Sequence, residues 1–459
     1  MCKVLCLFQH CNQRIEHHWP QLASLQLLLI QQIFKRVPMQ KKLITLFAMA
    51  FILNCQPWLS ENSLAQQQPP LEINATAAVL MEVSTGTTLY EYNADKIIEP
   101  ASFTKVLTLY LVFESLQKGL IHLNDEVYIS EKAWRTGGSK MFVEVGSKVP
   151  IEDLIKGIAV VSGNDACVAV AEHLYGSTDA FVDAMNKKAQ ELGMTQSHFE
   201  NPHGLPAEGQ VTTARDMATL DAAYLKRFPN ALKYHSMREF TYNNITQHNR
   251  NRLLLKDPSV DGLKTGYVSA AGYHLSATGE RDGMRLLAVV MGAKTPAVRE
   301  REALKLLNYG YRNYALIQPF PKDQPVTTVK VWKGLQDSLK LFPAEEASLL
   351  VTQKEKGAIR WQIEAPQEVT APITNQQMLG KMVFYIADQP KKSVALVSHD
   401  EIARAGWFKS LWQSIVQIRL PSINWQWLTG ISAGVFLLAV LLMFVLSRRS
   451  SRRSRTFKR

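Results

Sequence analysis

Alternation of apolar and polar positions divides the chain into two regions of different character. In the first region, strand-like runs lie at residues 77–83, 87–90, 272–277 and 285–291. Between and after them, helical spacing appears at residues 100–112, 151–192, 213–226 and 298–314. The first two runs flank Ser84-Thr85-Gly86, which predicts a β-hairpin. Strands at both ends with helices between them predict an α/β or α+β domain over residues 66–316.

The pattern changes after about residue 316. Prolines punctuate the chain at Pro319, Pro321 and Pro325. Short alternating runs, separated by turn residues, follow at 326–332, 348–353, 358–364 and 380–386. This pattern predicts a small all-β domain at residues 317–402.

The N-terminal end has the pattern of an export signal. Lys41-Lys42 precede the apolar run 43–53, and Ser63-Leu64-Ala65 offers small residues for cleavage. We interpret 39–65 as a signal peptide and 1–38 as the product of an upstream start, with a genuine extension or a lipoprotein at Cys55 as alternatives. Cleavage would leave Cys167 as the sole cysteine, which its apolar neighbours predict to be a buried structural thiol.

The C-terminal end predicts a membrane anchor. Residues 428–446 carry no charge and, as a helix, would span roughly 28 Å, close to the thickness of a hydrocarbon core. The tail 447–459 holds seven basic residues, which the positive-inside rule places in the cytoplasm. Before the anchor, residues 404–420 predict an amphipathic helix lying in the membrane interface, or packed on the preceding domain. The body of the chain would then lie on the far side of the inner membrane.

Composition and charge narrow the function classes. Hydrophobic residues at 46% and charged residues at 20% describe an ordinary globular chain. The net charge of +12 is concentrated in the two ends, and residues 66–446 are nearly neutral. A neutral body excludes a broad nucleic-acid-binding surface.

The first motif with chemical meaning is Ser102-Phe103-Thr104-Lys105, at a predicted helix start after Pro100. Residues i and i+3 share a helix face, so the serine hydroxyl and the lysine amine can meet. A hydroxyl becomes a strong nucleophile when a base takes its proton, and a lysine can be that base when burial or a nearby cation lowers its pKa from about 10.4. Taken alone, this spacing is also common on solvated helices.

Two further motifs follow in order. Ser162-Gly163-Asn164 offers a hydroxyl that can relay a proton and an amide that can hold a substrate amide, although it is equally typical of a helix cap. Lys264-Thr265-Gly266 on a strand edge could hold a substrate carboxylate, with glycine allowing close approach of the substrate backbone.

The order S-x-x-K, S-x-N, K-T-G is the signature of penicillin-recognising serine enzymes. Longer segments agree with it: 162–167, 201–205, 213–217 and 261–266. In these segments the sequence resembles the D-alanyl-D-alanine carboxypeptidases, the low-molecular-mass penicillin-binding proteins of the penicillin-binding protein 5/6 kind. The resemblance covers residues 75–315 and, more weakly, the β domain. It implies the α/β (α+β) fold of the penicillin-recognising serine transpeptidases and β-lactamases.

The resemblance also implies residue roles. The acyl-transfer residues would be the nucleophile Ser102, its general base Lys105 and the proton relay Ser162. The substrate-binding residues would be Asn164, Lys264, Thr265, Gly266, Arg299 and, in a supporting role, His203. Arg301 is the alternative to Arg299. Backbone N–H groups, including that of Ser102, would form the oxyanion hole.

The implied reaction removes the terminal D-alanine from peptidoglycan pentapeptides, with β-lactam antibiotics as covalent inhibitors. Neither a cofactor nor a metal is implied. The spanning segment departs from many relatives, which end in an amphipathic helix on the membrane surface.

Three alternatives share parts of this signature. A DD-endopeptidase that cuts peptide crosslinks would use the same residues. A class A β-lactamase would need a deacylating glutamate, and no E-x-x-L-N pattern lies between Asn164 and Lys264. A non-catalytic wall-binding or scaffolding protein would have no need for an intact set of catalytic residue types.

Overall fold

The computed structural model describes residues 71–407 and 434–443. Up to residue 313 the strands are β1 (Ala77–Glu82), β2 (Thr87–Tyr92), β3 (Glu126–Tyr128), β4 (Lys148–Pro150), β5 (Glu239–Tyr242), β6 (Ile245–His248), β7 (Val260–Val268), β8 (Gly272–Arg281) and β9 (Met284–Ala293). The helices are α1 (Thr104–Gln117), α2 (Glu131–Arg135), α3 (Ile151–Ala159), α4 (Asn164–Tyr175), α5 (Thr178–Glu191), α6 (Ala214–Arg227), α7 (Leu232–His235), α8 (Leu253–Lys256) and α9 (Pro296–Asn313).

A five-stranded antiparallel sheet organises this region, in the order β2-β1-β9-β8-β7. The hairpin predicted around Ser84-Thr85-Gly86 is β1–β2, and it is confirmed. The sheet combines strands from both ends of the region, as predicted. Lys264-Thr265-Gly266 lies on β7, which is an edge strand, so one side of its backbone is open to a ligand.

Helix α1 is apolar almost all round, from Val106 to Val112, which is typical of a helix enclosed on every side. Its side chains Val106, Leu107 and Leu109 are fully buried in the core, with Val79 and Leu287 of the sheet. The residues that precede and begin this helix are therefore held by a rigid scaffold.

The helical spacing predicted at 151–192 resolves into three helices, α3, α4 and α5. Left-handed backbone conformations interrupt it at Ser162 (φ 66°) and at Gly176 (φ 77°), the latter ending α4. Glycine adopts this conformation at no steric cost, whereas a serine there needs support from its surroundings. The interruption at Ser162 lies in the cleft described below.

The region from residue 314 to residue 398 is built mainly of β-strands, as predicted. Its strands are β10 (Tyr314–Phe320), β11 (Thr327–Trp332), β12 (Ser338–Pro343), β13 (Ala347–Thr352), β14 (Ile359–Glu364), β15 (Glu368–Thr370), β16 (Met378–Ile386) and β17 (Gln389–Ser398). Six of them form a sheet in the order β14-β16-β17-β12-β11-β15, and β10 pairs with β13. Its separate core includes Val331, Leu341, Phe384 and Leu396.

Strand β10 was not anticipated, because Pro319 argues against a strand. Among the described strands, β10 pairs with β13 alone, so its other edge has no partner strand. The N–H that Pro319 lacks is not needed at an unpaired edge.

The predictions for the two ends lie largely outside the described residues. These are the signal peptide 39–65, the interfacial helix beyond Trp407, residues 428–433 and 444–446 of the predicted span, and the tail 447–459. Residues 434–443 form a helix with exposed side chains. Within 71–407 and 434–443, no helix combines the length and apolarity that a membrane span requires.

Candidate active site

A cleft of about 730 Å³ opens along the edge strand β7. It is lined by the residues before α1, the loop before α4, the segments 138–139, 203–205 and 248–252, strands β7 and β8, and the first turn of α9. The predicted site residues that line it are Ser102, Ser162, Asn164, His203, Thr265, Gly266 and Arg299. Lys105 and Lys264 lie buried beneath this surface.

Ser102 and Lys105 meet at the start of α1. Residues Ala101–Phe103 form a 3-10 turn that continues into the helix, and Lys105 Nζ donates a 3.0 Å hydrogen bond to Ser102 Oγ. Lys105 Nζ also donates a 2.5 Å hydrogen bond to the carbonyl oxygen of His203. Burial, assisted by the positive charge of Arg250, lowers the pKa of the Lys105 amine to about 8. A lysine in this state can lose its proton near neutral pH, as a general base must.

A close backbone approach holds His203 beside Lys105. A Cβ atom added to Gly204 (φ 83°) would lie 1.8 Å from the carbonyl oxygen of Ala101, so that any side chain would displace the loop. Thr108 Oγ1 donates a 2.6 Å hydrogen bond to the carbonyl of Pro202, fixing the same loop to α1. The segment is a turn, and its backbone also contacts the candidate base.

The carbonyl group of His203 contacts Lys105, whereas its side chain contacts Leu205. Its Nδ1 accepts a 3.2 Å hydrogen bond from the N–H of Leu205. Burial, followed by the charges of Lys105 and Lys132, lowers the pKa of His203 to about 3. The imidazole is therefore neutral at physiological pH.

Ser162 and Lys264 form the second hydroxyl–lysine pair. Lys264 Nζ donates 3.0 Å hydrogen bonds to Ser162 Oγ and to the carbonyl of Thr265. Burial, followed by the charge of Lys105, lowers the pKa of Lys264 well below its ordinary value. The two lysines thus face the same pocket from α1 and from β7.

Asn164 begins α4 and contacts the opposite wall of the cleft. Its Nδ2 donates a 2.7 Å hydrogen bond to the carbonyl of Gly137. A Cβ atom on Gly138 (φ 77°) would lie 2.6 Å from the same Nδ2 atom, so the glycine makes room for the amide. These contacts hold the Asn164 side chain in place. Within the described residues its amide oxygen remains available to accept a hydrogen bond.

Asp165 is a residue that the sequence analysis missed. Its buried carboxylate accepts hydrogen bonds from the N–H groups of Met141, Phe142 and Val143 at 2.9–3.3 Å. These contacts fix the loop that carries Gly137 and Gly138 to the start of α4. Its position directly after Ser162-Gly163-Asn164 was the one available signal.

Thr265, Gly266 and Arg299 are buried residues that line the cleft. A Cβ atom on Gly266 would lie 3.4 Å from the backbone nitrogen of Ser102, so β7 passes close to that N–H. Arg299 donates long hydrogen bonds of 3.3 Å to the carbonyls of Gly266 and His274. Burial lowers the pKa of its guanidinium to about 10, and within the described residues its Nε has no hydrogen-bond partner.

The alternative cation, Arg301, points elsewhere. Its side chain is 58% exposed and pairs with Glu302 at 2.9 Å. Arg299 is the one of the two that lines the cleft. The reason is helical phase, because two residues on α9 separated by two positions face about 200° apart.

Other cleft residues escaped sequence reasoning. These are His248, Asn249, Arg250, Tyr267, Tyr273 and Glu300. Glu300 is ion-paired with Lys256 at 2.6 Å. Cys167 is buried below the cleft, and burial raises the pKa of its thiol to about 12, as a structural thiol requires. Among the described residues no group of three His, Cys, Asp or Glu side chains is placed to hold a metal ion.

Comparison with known protein families agrees with this geometry. Residues 62–295 match the family described as D-alanyl-D-alanine carboxypeptidase. Residues 314–404 match the family described as penicillin-binding protein 5, C-terminal domain.

Similar proteins match over most of their length. The D-alanyl-D-alanine carboxypeptidase DacC of Escherichia coli is 37% identical over 353 residues, covering 75% of this chain and 88% of the relative. DacF of Bacillus subtilis is 36% identical over 379 residues, covering 81% and 97%. The crystal structure of penicillin binding protein 5 from Haemophilus influenzae aligns with a TM-score of 0.62 at 36% identity, covering 73% of this chain and 99% of that one. The chain therefore belongs to the D-alanyl-D-alanine carboxypeptidase family and combines its penicillin-binding-protein-like α/β domain with the all-β domain of penicillin-binding protein 5.

Proposed function

We propose that the chain is a serine-type D-Ala-D-Ala carboxypeptidase that removes the terminal D-alanine from peptidoglycan pentapeptides through an acyl-enzyme on Ser102. The observation that carries this proposal is the 3.0 Å hydrogen bond between Ser102 Oγ and a buried lysine whose pKa is about 8. Family membership supports the same substrate class, since the relatives are D-alanyl-D-alanine carboxypeptidases.

Acylation begins when the neutral Lys105 amine accepts the proton of Ser102 Oγ. The oxygen attacks the carbonyl carbon of the penultimate D-alanine, and the resulting oxyanion is held by backbone N–H groups that include Ser102. The C–N bond to the terminal D-alanine then breaks, and the proton held by Lys105 passes through Ser162 to the leaving amine, so that Lys105 is neutral again. In deacylation, Lys105 accepts a proton from water and the hydroxide attacks the acyl carbon. The bond from that carbon to Ser102 Oγ then breaks, and Lys105 returns the proton to Ser102.

Residues of β7, α4 and α9 bind the substrate. Asn164 orients the substrate amide, and Gly266 lets the substrate backbone lie against the strand edge. Lys264, Thr265 and Arg299 engage the terminal carboxylate, a role that suits the incompletely bonded guanidinium of Arg299.

β-Lactams would be covalent inhibitors because they mimic the scissile peptide and their acyl-enzyme would break down slowly. We expect slow breakdown because, among the described residues, the one glutamate that lines the cleft, Glu300, is paired with Lys256. Turnover of penicillin as fast as that of peptide would instead favour a β-lactamase.

Penicillin labelling and peptide hydrolysis test the proposal together. Mass spectrometry of the penicillin-treated chain should locate the adduct on Ser102, and the chain should release D-alanine from a pentapeptide. Ser102→Ala should lose both activities. An adduct on Ser162, or full labelling of Ser102→Ala, would show that the nucleophile is misassigned.

We further propose a single-pass protein of the bacterial inner membrane, with signal peptide 39–65, periplasmic catalytic domain 66–316 and β domain 317–402, interfacial helix 404–420, span 428–446 and cytoplasmic tail 447–459. The uncharged span and the seven basic residues after it support this topology, because each arginine at a bilayer centre costs roughly 2.5–3.5 kcal/mol. Reporter fusions should place residue 400 outside and residue 459 inside. A reporter at residue 459 that is active outside would refute the topology.

A further inference from the structure

Two tyrosines form a stacked wall at the end of the cleft. Tyr267 and Tyr273 lie directly opposite each other on β7 and β8. Their ring centroids are 4.3 Å apart with an interplanar angle of 28°. Both rings line the cleft, and Tyr267 is 52% exposed.

Arg299 contacts the Tyr273 ring of this wall. Its guanidinium carbon lies 5.6 Å from the centroid of the Tyr273 ring, in the range of a cation–π contact. Tyr273 is thus held between a buried cation and the Tyr267 ring. A ring stacked in this way resists displacement, because moving it away gives up the aromatic contact.

The wall lies where the leaving residue would sit. Successive side chains of a strand alternate between faces, so Tyr267 shares the face of Thr265. Thr265 and Arg299 are the groups assigned above to the terminal carboxylate, and Gly266 between them passes against Ser102 N. A leaving residue whose carboxylate contacts Thr265, and whose nitrogen is bonded to the carbonyl that faces Ser102, places its side chain beside the Tyr267 ring.

We infer that Tyr267, backed by Tyr273, is a specificity-determining residue that limits the leaving residue to a small side chain. This inference rests on the proposed function. It makes the preferred substrate class uncrosslinked stems that end in D-alanine, whose side chain is one methyl group. In a peptide crosslink the leaving residue instead carries a long side chain that continues into the neighbouring stem, and that chain would have to displace the ring.

Two peptides that differ in the last residue test this inference directly. The full chain, purified in detergent, should cleave a stem ending in D-Ala-D-alanine faster than one ending in D-Ala-D-norleucine. Tyr267→Ala should reduce that preference in kcat/KM about tenfold, since a pocket wall discriminates aliphatic groups by roughly 10-fold or more. The same variant should gain relative activity on a crosslinked dimer.

Two controls separate the wall from general effects. Tyr267→Phe keeps the stacked ring and should keep the preference. Tyr92→Ala removes a 41% exposed tyrosine from β2, the opposite edge of the same sheet, and should leave the preference unchanged. Tyr273→Leu removes the supporting ring and should weaken the preference as Tyr267→Ala does.

The outcomes distinguish this inference from the proposed function. If the unaltered chain neither takes up penicillin on Ser102 nor releases D-alanine, the proposed function is wrong. If it does both and Tyr267→Ala keeps the same preference, or loses activity on both peptides equally, the wall has no role in specificity and the inference alone is wrong.

Discussion

Lys264 on β7 donates a 3.0 Å hydrogen bond to the hydroxyl of Ser162, which precedes α4. The contact joins the edge of the sheet to the helical side of the cleft. It also brings a second buried ammonium group towards Lys105, whose charge further lowers the pKa of Lys264. Both lysines therefore lose their protons more readily than lysines in water.

Replacing Lys105 should slow acylation without removing the nucleophile. We expect Lys105→Ala to lower the rate of penicillin acylation by about 10²–10⁴-fold, the usual contribution of a general base. Lys118→Ala provides the matched control, because Lys118 ends the same helix with its side chain 55% exposed. Stopped-flow or gel-based labelling gives both rates, and equal rates in the two variants would contradict the assignment.

The pH dependence of acylation should follow Lys105. The base must be neutral, and burial lowers its pKa to about 8, so raising the pH through 8 removes the proton and activates the enzyme. The rate should rise about tenfold per pH unit below 8 and level off above it.

Two histidines near the cleft cannot produce this inflection. Burial lowers the pKa of His203 to about 3 and that of His274 to about 4, so both stay neutral from pH 6 to 9. A rate that is flat or falls with pH over this range would argue against Lys105 as the base.

Arg299 and Arg301 should differ sharply in their effects on peptides with a free terminal carboxylate. Arg299→Ala should lower kcat/KM for such a peptide by about 10–100-fold, because a charged hydrogen bond is lost. Arg299→Lys should be intermediate, since it keeps the charge and loses the forked geometry. Arg301→Ala should have little effect, and a larger loss in Arg301→Ala would reverse the assignment. A peptide with an amidated terminus should be much less sensitive to Arg299→Ala.

Asp221 should make the stability of the fold depend on pH. The carboxyl group is fully buried, it accepts a 2.5 Å hydrogen bond from Ser276, and burial raises its pKa to about 7. The folded state therefore holds a proton that the unfolded chain releases near pH 4. The resulting stability is complete below pH 4 and is lost as the pH rises through 7.

Urea denaturation at pH 5 and pH 8 measures this effect. The free energy of unfolding should fall between these values by an amount of order 1–4 kcal/mol. Asp221→Asn has the same shape and no titration, so it should show a smaller fall. An unchanged fall in that variant would assign the pH dependence to other groups.

Several features of the site were predictable because they depend on neighbours in sequence. Ser102 and Lys105 are separated by three positions at a helix start, so local geometry alone brings them together. The apolar pattern likewise predicted the mixed α/β region, the hairpin at Ser84-Thr85-Gly86 and the all-β region after residue 316. The apolar pattern did not predict a strand at 260–268, and only the structure placed Lys264-Thr265-Gly266 on the edge strand β7.

Contacts between segments that are distant in sequence could be identified only from the tertiary structure. The Lys264–Ser162 contact spans 102 positions, and motif order alone says nothing about its distance. The choice between Arg299 and Arg301 depended on the face that α9 turns towards the sheet. The Tyr267–Tyr273 wall depended on strand register, because a shift of one residue in either strand would put the two rings on opposite faces of the sheet.

The spacing of Ser102 and Lys105 and the order of the three motifs are properties of the chain, and they identify the groups that can carry the chemistry. How reactive and how selective those groups are depends on the fold. Burial is what lowers the pKa of Lys105, and burial depends on α1 being enclosed by segments far away in sequence. The Asp165 carboxylate and the Tyr267 ring gain their roles in the same way, from backbone and rings that folding brings to them.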